Sequence, residues 1–514
     1  MSRVNPLLTL RAWDVQLYRV CDDLSGWLIL PMLICSPWAF GTTQPSVIWY
    51  FNLAGYTLGV LLLLKLFIRQ LKGYPAPRWE NFSTRSGNLT HRLHPALRWL
   101  RQGLALLTLA VLAECLVSAL NIAARYDVNT RIFTYYPHLS WLPYSLDGQR
   151  TWFHFWMYLG LACSFWAVVD WLAGMTSTEE RGWLGGGAVS SEKPLPLLST
   201  RLRILLWVLC LNGALLGLEG IFQRASGASK LLFLVQPLVN PDGLSQFGPY
   251  AYRANAAQYF NLLWPLCLGF WWTLQRAGGL PAKAHHLLLS CAAIMAACPV
   301  ISSSRGGALV AVSILVLAVA YLLFTNFFSF AGHSRAGTFQ WGTTGLLLLF
   351  VAVALSLAWY FGWSSLAPRL EQLGEGYENR QQMYVAAQPM LRDYPWFGTG
   401  PGTFATVFSL YRFSDEVYWP EQLHNDWLET RITFGWLGFG LVLSALGCVG
   451  LRWLVPGGLR GSRRFVVLAW LGLGGCLVHA LFDFPFQIHS ILLLFLVICA
   501  VLLGQSLNSG SARR

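Results

Sequence analysis

Four stretches in the second half of the chain hold the side chains best suited to chemistry on a charged substrate. The first, Ser304-Arg305-Gly306-Gly307, sits between two apolar runs of roughly twenty residues. An arginine facing lipid at midplane would cost about 2.5–3.5 kcal/mol or more. The serines and glycines therefore read as a tight turn at the membrane edge that points Arg305 at a protein-lined or aqueous cavity; an interfacial arginine touching lipid headgroups is the plainer alternative. The second stretch runs from Arg369 through Glu378-Asn379-Arg380 to Tyr384. It looks helical from Glu378 onward, with Arg380, Tyr384 and Gln388 on one face. The third, Trp396-Phe397-Gly398-Thr399-Gly400-Pro401-Gly402-Thr403-Phe404, places three glycines at alternate positions. Their N–H groups could form an anion nest, although a plain turn is the simpler reading. The fourth, Gln422-Leu423-His424-Asn425-Asp426-Trp427-Leu428-Glu429, leads into an apolar run and puts His424 and Leu428 on one helical face.

Guanidiniums stay charged at any physiological pH and bind phosphate oxygens in a two-pronged grip. Imidazole is the side chain whose ordinary pKa suits a general base near neutrality, and nearby arginines favour its neutral form. Each stretch taken singly also fits a solvated or interfacial structural role. The motifs of other chemistries are missing: there is no HExxH, no Cys/His cluster, no GxSxG, and no Gly-Lys-Ser/Thr after the glycines. His479 and Asp483 lie one helical turn apart and read as a structural pair. Glu114 falls inside an apolar run, which makes it a functional candidate without a partner legible in sequence.

These residues need elements to hold them, and the composition says which kind. Hydrophobic residues make up 55 % of the 514, charged residues 11 %, and mean hydropathy is +0.48. That charge content is under half the roughly 25 % of a soluble domain, and 25 Trp, 31 Phe and 19 Tyr exclude disorder. The expectation is an all-α, polytopic integral membrane protein forming a single domain over residues 1–514. About twelve spans follow from the apolar runs: 25–40, 46–68, 102–122, 151–174, 204–222, 256–274, 286–303, 307–324, 344–363, 433–451, 465–482 and 487–505. Residues 1–24 read as a mixed polar tail with no cleavable signal. Ten of the eleven cysteines fall in spans and Cys21 in the tail, with no disulfide or metal spacing.

The net charge of +13 follows from topology before any ligand is invoked, and nucleic acid is not called for. With both termini cytoplasmic, twenty-three of the thirty-six lysines and arginines lie inside and twelve outside. Among the inside segments are two basic loops, 69–101 and 175–203. Outside lie three long loops, of which 364–432 is the largest and carries five arginines and one histidine.

In this order and spacing the motifs resemble the bacterial O-antigen ligase and O-antigen polymerase superfamily. Its members include lipopolysaccharide O-antigen ligases, exopolysaccharide polymerases and related O-glycosyltransferases. The resemblance rests on Ser304-Arg305-Gly306-Gly307, Glu378-Asn379-Arg380, Gly398 to Phe404, His424 to Glu429 and Gly435-Trp436-Leu437-Gly438. Pro143-Tyr144-Ser145-Leu146, Phe247-Gly248 through Asn255-Ala256-Ala257, and His479-Ala480-Leu481-Phe482-Asp483 add to it. It is best over about 245–500.

The resemblance implies an all-helical membrane glycosyltransferase with a large periplasmic loop between spans nine and ten, in the bacterial inner membrane. The implied donor is a glycan on undecaprenyl pyrophosphate. The implied acceptor is a lipid A–core sugar, a second lipid-linked glycan or a protein hydroxyl, and the reaction needs no metal or other cofactor. By position Arg305 and Arg380 would hold the pyrophosphate and His424 would take the acceptor proton. Arg369, Arg392, Tyr384 and Asn425 would bind or position substrate. A transporter or flippase for a lipid-linked or anionic solute is the competing class. Twelve spans suit it, but no repeat relates the two halves and the candidate charges cluster at one face. A non-catalytic envelope partner would be expected to lack the arginines or the histidine, and both are present.

Overall fold

Inside a bilayer an apolar run can satisfy its backbone only as a helix or in a closed barrel, and helices form here. The computed structural model describes residues 12–74, 76–79, 95–184, 198–276, 281–331, 341–411, 421–454, 459–460 and 463–506. In chain order the helices are α1 (Ala12–Trp38), α2 (Pro45–Lys72), α3 (Pro95–Leu120), α4 (Gly148–Ala173), α5 (Ser177–Leu184), α6 (Thr200–Ser226), α7 (Arg253–Arg276) and α8 (Leu287–Ile301). They continue with α9 (Arg305–Ala331), α10 (Trp341–Ala358), α11 (Ser364–Glu371), α12 (Leu373–Asp393), α13 (Phe404–Phe408), α14 (Asp426–Leu451), α15 (Arg463–His479) and α16 (His489–Gly504). A π-helical turn, Trp359–Trp363, joins α10 to α11. A short hairpin, β1 (Ala124–Asp127) against β2 (Ile132–Tyr135), stands between α3 and α4.

Among the described residues nine helices are long and apolar enough to cross a membrane: α1, α2, α3, α4, α6, α8, α9, the α10–α11 unit and α14. The chain is thus an all-α, multi-pass membrane protein. Helices α7, α15 and α16 occupy the other three expected positions without meeting that measure. For α7 the reason is its surroundings. It is buried continuously from Ala254 to Leu274, so protein rather than lipid encloses it and Asn255, Gln258 and Asn261 are tolerated. Helices α15 and α16 are short, at 17 and 16 residues.

The first expected span began at residue 25, and the structure corrects it. Helix α1 begins at Ala12, so Cys21 is a buried helical residue rather than part of a tail. The acids that broke the apolar pattern there are paired in space. Asp22 meets Lys65 of α2 at 3.1 Å and Arg201 of α6. Asp170 of α4 meets Lys65 at 2.7 Å and both Arg69 and Arg78 at 2.6 Å. Lys65 has no exposed surface. Of the two basic loops expected inside, residues 75, 80–94 and 185–197 lie outside the described residues.

One apolar core runs through the bundle from Ile29 to Leu503. Helices α2 and α4 pack with backbones almost touching at Gly55, where an added Cβ would lie 2.4 Å from the Gly160 carbonyl oxygen. Small residues at such crossings let membrane helices gain dispersion contact that lipid cannot supply.

Two carboxylates hold four cations in the network that ties α1, α2, α4 and α6, so removing one carboxylate leaves buried cations without a counter-ion. Asp170→Ala is expected to cost about 3–5 kcal/mol of stability, read as a large fall in melting temperature in detergent. Asp170→Asn should retain part of that loss as hydrogen bonds.

Candidate functional site

The turn between α8 and α9 is built by its serines. Ser302 Oγ donates to the Pro299 carbonyl at 2.9 Å, Ser303 adopts φ 61°, and Ser304 Oγ accepts from Gly307 N at 3.1 Å. That last bond caps α9 and makes Arg305 its first residue. A Cβ on Gly307 would lie 2.3 Å from Ala257, and one on Gly306 would lie 2.5 Å from the Phe482 ring. The glycine pair therefore lets α9 close against α7 and the wall that Phe482 forms.

Arg305 and Arg369 hold each other's segments. Arg305 Nη1 donates to the Gln372 carbonyl at 2.6 Å, and Arg369 Nη1 donates to the Ser303 carbonyl at 2.7 Å. Arg253, the first residue of α7, donates from Nη1 to the Leu244 carbonyl at 2.8 Å. Arg380 of α12 donates from Nη1 to the Phe482 carbonyl, and its Nη2 lies 3.8 Å from Asp483 Oδ2. These four guanidiniums, with Tyr252, Ser304, Leu309, Phe482 and Asp483, line a cavity of about 250 Å³.

Asp483 joins this cavity to His424. Its Oδ1 lies 3.2 Å from His424 Nδ1. Burial alone would raise the Asp483 carboxyl, but the hydrogen bond from His424 and the nearby charge of Arg380 outweigh it and hold the group below its ordinary value. An ionised carboxylate can only accept, so Nδ1 carries the proton and a neutral ring keeps its lone pair on Nε2. The imidazole packs edge-on against Phe484 with centroids 4.8 Å apart, and Tyr252 stacks on the other ring of that pair, Phe484, at 5.4 Å. Burial, with the charge of Asp483, raises the Tyr252 phenol well above its usual value, so it stays protonated.

His424 does not lie on the helix. Asn425 is the N-cap of α14, accepting from Leu428 N at 3.0 Å, and His424 precedes it at φ 57°. Tyr384 OH donates to the His424 carbonyl at 2.7 Å, fixing that backbone from α12. The residues after the cap fasten the rest. Asp426 accepts from Phe486 N at 2.7 Å and Gln487 Nε2 at 3.1 Å. Trp427 Nε1 donates to the Leu477 carbonyl at 3.0 Å, and Glu429 accepts from Leu423 N at 2.8 Å.

The structure brings Arg305, Arg369, Arg380, Tyr384 and His424 together. Arg392 is not among them: it is exposed at the end of α12, about 18 Å along the helix from Arg380. Asn425 is beside the site, with its oxygen engaged in the cap. His424 adjoins the cavity through Asp483 without lining it.

Sequence reasoning missed Arg253, Tyr252 and the role of Asp483. Tyr252 and Arg253 lie inside the stretch from Phe247 to Ala257 that adds to the resemblance, but neither was singled out there. Asp483 was assigned to His479 by helical spacing, but His479 Nε2 is 3.8 Å away, farther than His424. Glu114 lies buried in α3 against Gly438, and among the described residues neither of its oxygens meets a hydrogen-bond partner.

The three alternate glycines make a turn, and the N–H groups at its centre are already engaged. Thr399 N and Gly400 N donate to the Ile432 and Thr433 carbonyls, both at 3.0 Å. Gly398, Gly400 and Gly402 have φ of 69°, 104° and 76°. The loop stitches the start of α4 to α14, with Thr151 Oγ1 donating to the Pro401 carbonyl at 3.0 Å and Thr406 Oγ1 to Asp147 at 2.9 Å.

With this geometry in view, comparison with known families bears on one segment of the chain. Residues 290–443 match the O-antigen ligase family. The chain carries an O-antigen ligase family domain. The match points to a membrane enzyme of polysaccharide and lipopolysaccharide synthesis. The matched segment contains Arg305, Arg369, Arg380 and His424, whereas Arg253 and Asp483 lie on either side of it. No curated protein matches the chain.

Two outcomes follow. A Cβ on Gly402 would lie 2.0 Å from the His154 ring, so Gly402→Ala should destabilise by about 1–3 kcal/mol or more, seen as a lower melting temperature. Asp483 titrates lower in the folded chain than the value of about 3.9 in an unfolded one. Its contribution to stability is therefore whole above about pH 4 and is lost as pH falls through the folded value. Asp483→Asn should melt below wild type at neutral pH, and the gap should narrow below about pH 4.

Proposed function

We propose that this O-antigen ligase family enzyme moves a glycan from an undecaprenyl pyrophosphate carrier to an acceptor hydroxyl, with inversion and without a metal. The observation that carries the reading is the convergence of Arg253, Arg305, Arg369 and Arg380 on one cavity beside the His424–Asp483 pair. A pyrophosphate leaving group needs its developing charge stabilised at the moment the bond breaks. Fixed guanidiniums supply that stabilisation with bidentate geometry.

The reaction balances simply. The acceptor oxygen forms a bond to the anomeric carbon, and the bond from that carbon to the pyrophosphate oxygen breaks with its electron pair leaving on phosphate. The acceptor proton passes to His424 Nε2. Asp483 stabilises the imidazolium that results and holds the ring in the tautomer a base requires. Arg305 and Arg380 grip the pyrophosphate, with Arg369 and Arg253 completing the grip. Tyr384 and Asn425 hold the backbone on which His424 is mounted, and Arg392 takes no part in this step.

The reading places the enzyme in a bacterial inner membrane, with both termini cytoplasmic and the cavity facing the periplasm. The distribution of lysine and arginine supports that orientation. Residues 364–432 then form a periplasmic segment that carries part of the active site, while 69–101 and 175–203 face the cytoplasm. The acceptor is a lipid A–core sugar for a ligase and a second lipid-linked glycan for a polymerase.

The test is transfer by the purified protein in lipid, with undecaprenyl pyrophosphate-linked oligosaccharide and a chelator, products resolved by size. A ladder of lengths identifies a polymerase; a single addition only when core acceptor is present identifies a ligase. His424→Ala should lower kcat by about 10²–10⁴, and Arg305→Ala or Arg380→Ala by about 10²–10³. Arg305→Lys should not restore the rate, because an ammonium lacks the planar fork. Wild-type rates in His424→Ala and Arg305→Ala would refute the residue roles.

A further inference from the structure

The segment between α6 and α7 is built inside out. Its polar side chains are spent on the loop itself. Gln236 Nε2 donates to the Pro241 carbonyl at 2.7 Å, Gln246 Nε2 to the Asn240 carbonyl at 2.8 Å, and Asp242 accepts from Ser245 N at 2.9 Å. Its large apolar side chains face outward. Phe233, Leu234, Val235, Leu238 and Val239 are all exposed, Leu234 at 74 % and Leu238 completely. The display is held in place by backbone structure. Leu231 N donates to the Val235 carbonyl at 2.8 Å, and Leu232 and Phe233 are kept at φ 52° and 61°. Bulky residues persist in that region only where their surroundings hold them there.

We propose that residues 231–239 form an apolar crown inserted among the acyl chains of the leaflet on the arginine-cavity side. In water an ordered loop turns polar groups out and apolar groups in, and the reversed arrangement matches an apolar medium. The crown also continues an existing lipid interface. Leu211, Leu215, Leu218 and Phe222 form an exposed stripe along α6 at helical spacing, and Phe222 stands one turn before the loop begins. Lys230, exposed at the base of the crown, suits the headgroup layer.

The back of the loop is wired to the site. Arg224 donates to the Gly243 carbonyl at 3.1 Å and the Gln246 carbonyl at 3.0 Å, and Arg253 donates to the Leu244 carbonyl at 2.8 Å. Insertion of the crown therefore sets the depth of Arg253 relative to the membrane. It holds the cavity at headgroup level, where the phosphates of a lipid-linked substrate lie. The insertion itself rests on the chain's spanning a membrane and not on the proposed reaction.

The test uses the full chain in nanodiscs of phosphatidylethanolamine and phosphatidylglycerol, with p-benzoylphenylalanine replacing Leu238, Leu234, Phe222 or Asn129 in turn. Phe222 is the lipid-facing reference, and Asn129 is an exposed position in the turn of the β1–β2 hairpin. After illumination, mass spectrometry should find phospholipid adducts at Leu238 and Leu234 at yields like that of Phe222 and at least about tenfold above Asn129. Equal yields at Leu238 and Asn129, with Phe222 labelled, would overturn the proposal. So would a covalent dimer formed from Leu238 in place of lipid adducts, which would assign the crown to a second copy of the chain.

Discussion

The carboxylate of Asp483 is the contact on which the rest of the site depends. It is buried, it accepts from His424, and it lies near Arg380 and the Tyr252 hydroxyl. A carboxylate so enclosed is stable only if its neighbours are cations or donors. Its presence therefore fixes the ring orientation of His424 and the place of Arg380 together. The carbonyl of the same residue accepts from Asp426 N at 3.2 Å, and Asp426 in turn holds the turn at Phe486 and Gln487. The starts of α14 and α16 and the end of α15 are thus gathered around one side chain.

The bundle separates its charges by end. At one end Asp22 and Asp170 each bridge several of the cations Lys65, Arg69, Arg78 and Arg201 and tie α1, α2, α4 and α6. At the other, four guanidiniums share a cavity with one carboxylate. Arg201 and Arg224 sit near the two ends of α6, about 35 Å apart by helical rise. In the first cluster every cation touches a carboxylate. In the second the four guanidiniums line an open cavity with one carboxylate, so their excess charge faces solvent-sized space rather than packed helices.

The membrane character of the chain was legible in its composition, and helices cover every expected span, because apolar periodicity is a local property. What failed was whatever depended on distant partners. Helix α1 looked too polar to begin before residue 25, since the partners of Asp22 lie 43 and 179 residues away. Asp483 was matched to the histidine four residues before it, and its closer imidazole is 59 residues away. His424 was placed on a helical face one residue pair too early. The Asn425-Asp426 pair before an apolar run is an N-cap signal that could have corrected this. The glycines near 400 were readable as a turn but not as the joint between α4 and α14. Arg253 stood inside a stretch that carries the resemblance without being picked out, and the cavity reveals its company.

Each of the four cavity arginines is steered by a main-chain carbonyl: Leu244, Gln372, Ser303 and Phe482 supply them for Arg253, Arg305, Arg369 and Arg380. A carbonyl is the same whichever side chain its residue bears. The aim of the guanidiniums is therefore indifferent to the identity of residues 244, 303, 372 and 482, so long as the backbone keeps its path. At residues 244 and 372 sequence drift can proceed without disturbing the charge that the cavity presents, while any shift of the loops themselves would turn the arginines away together.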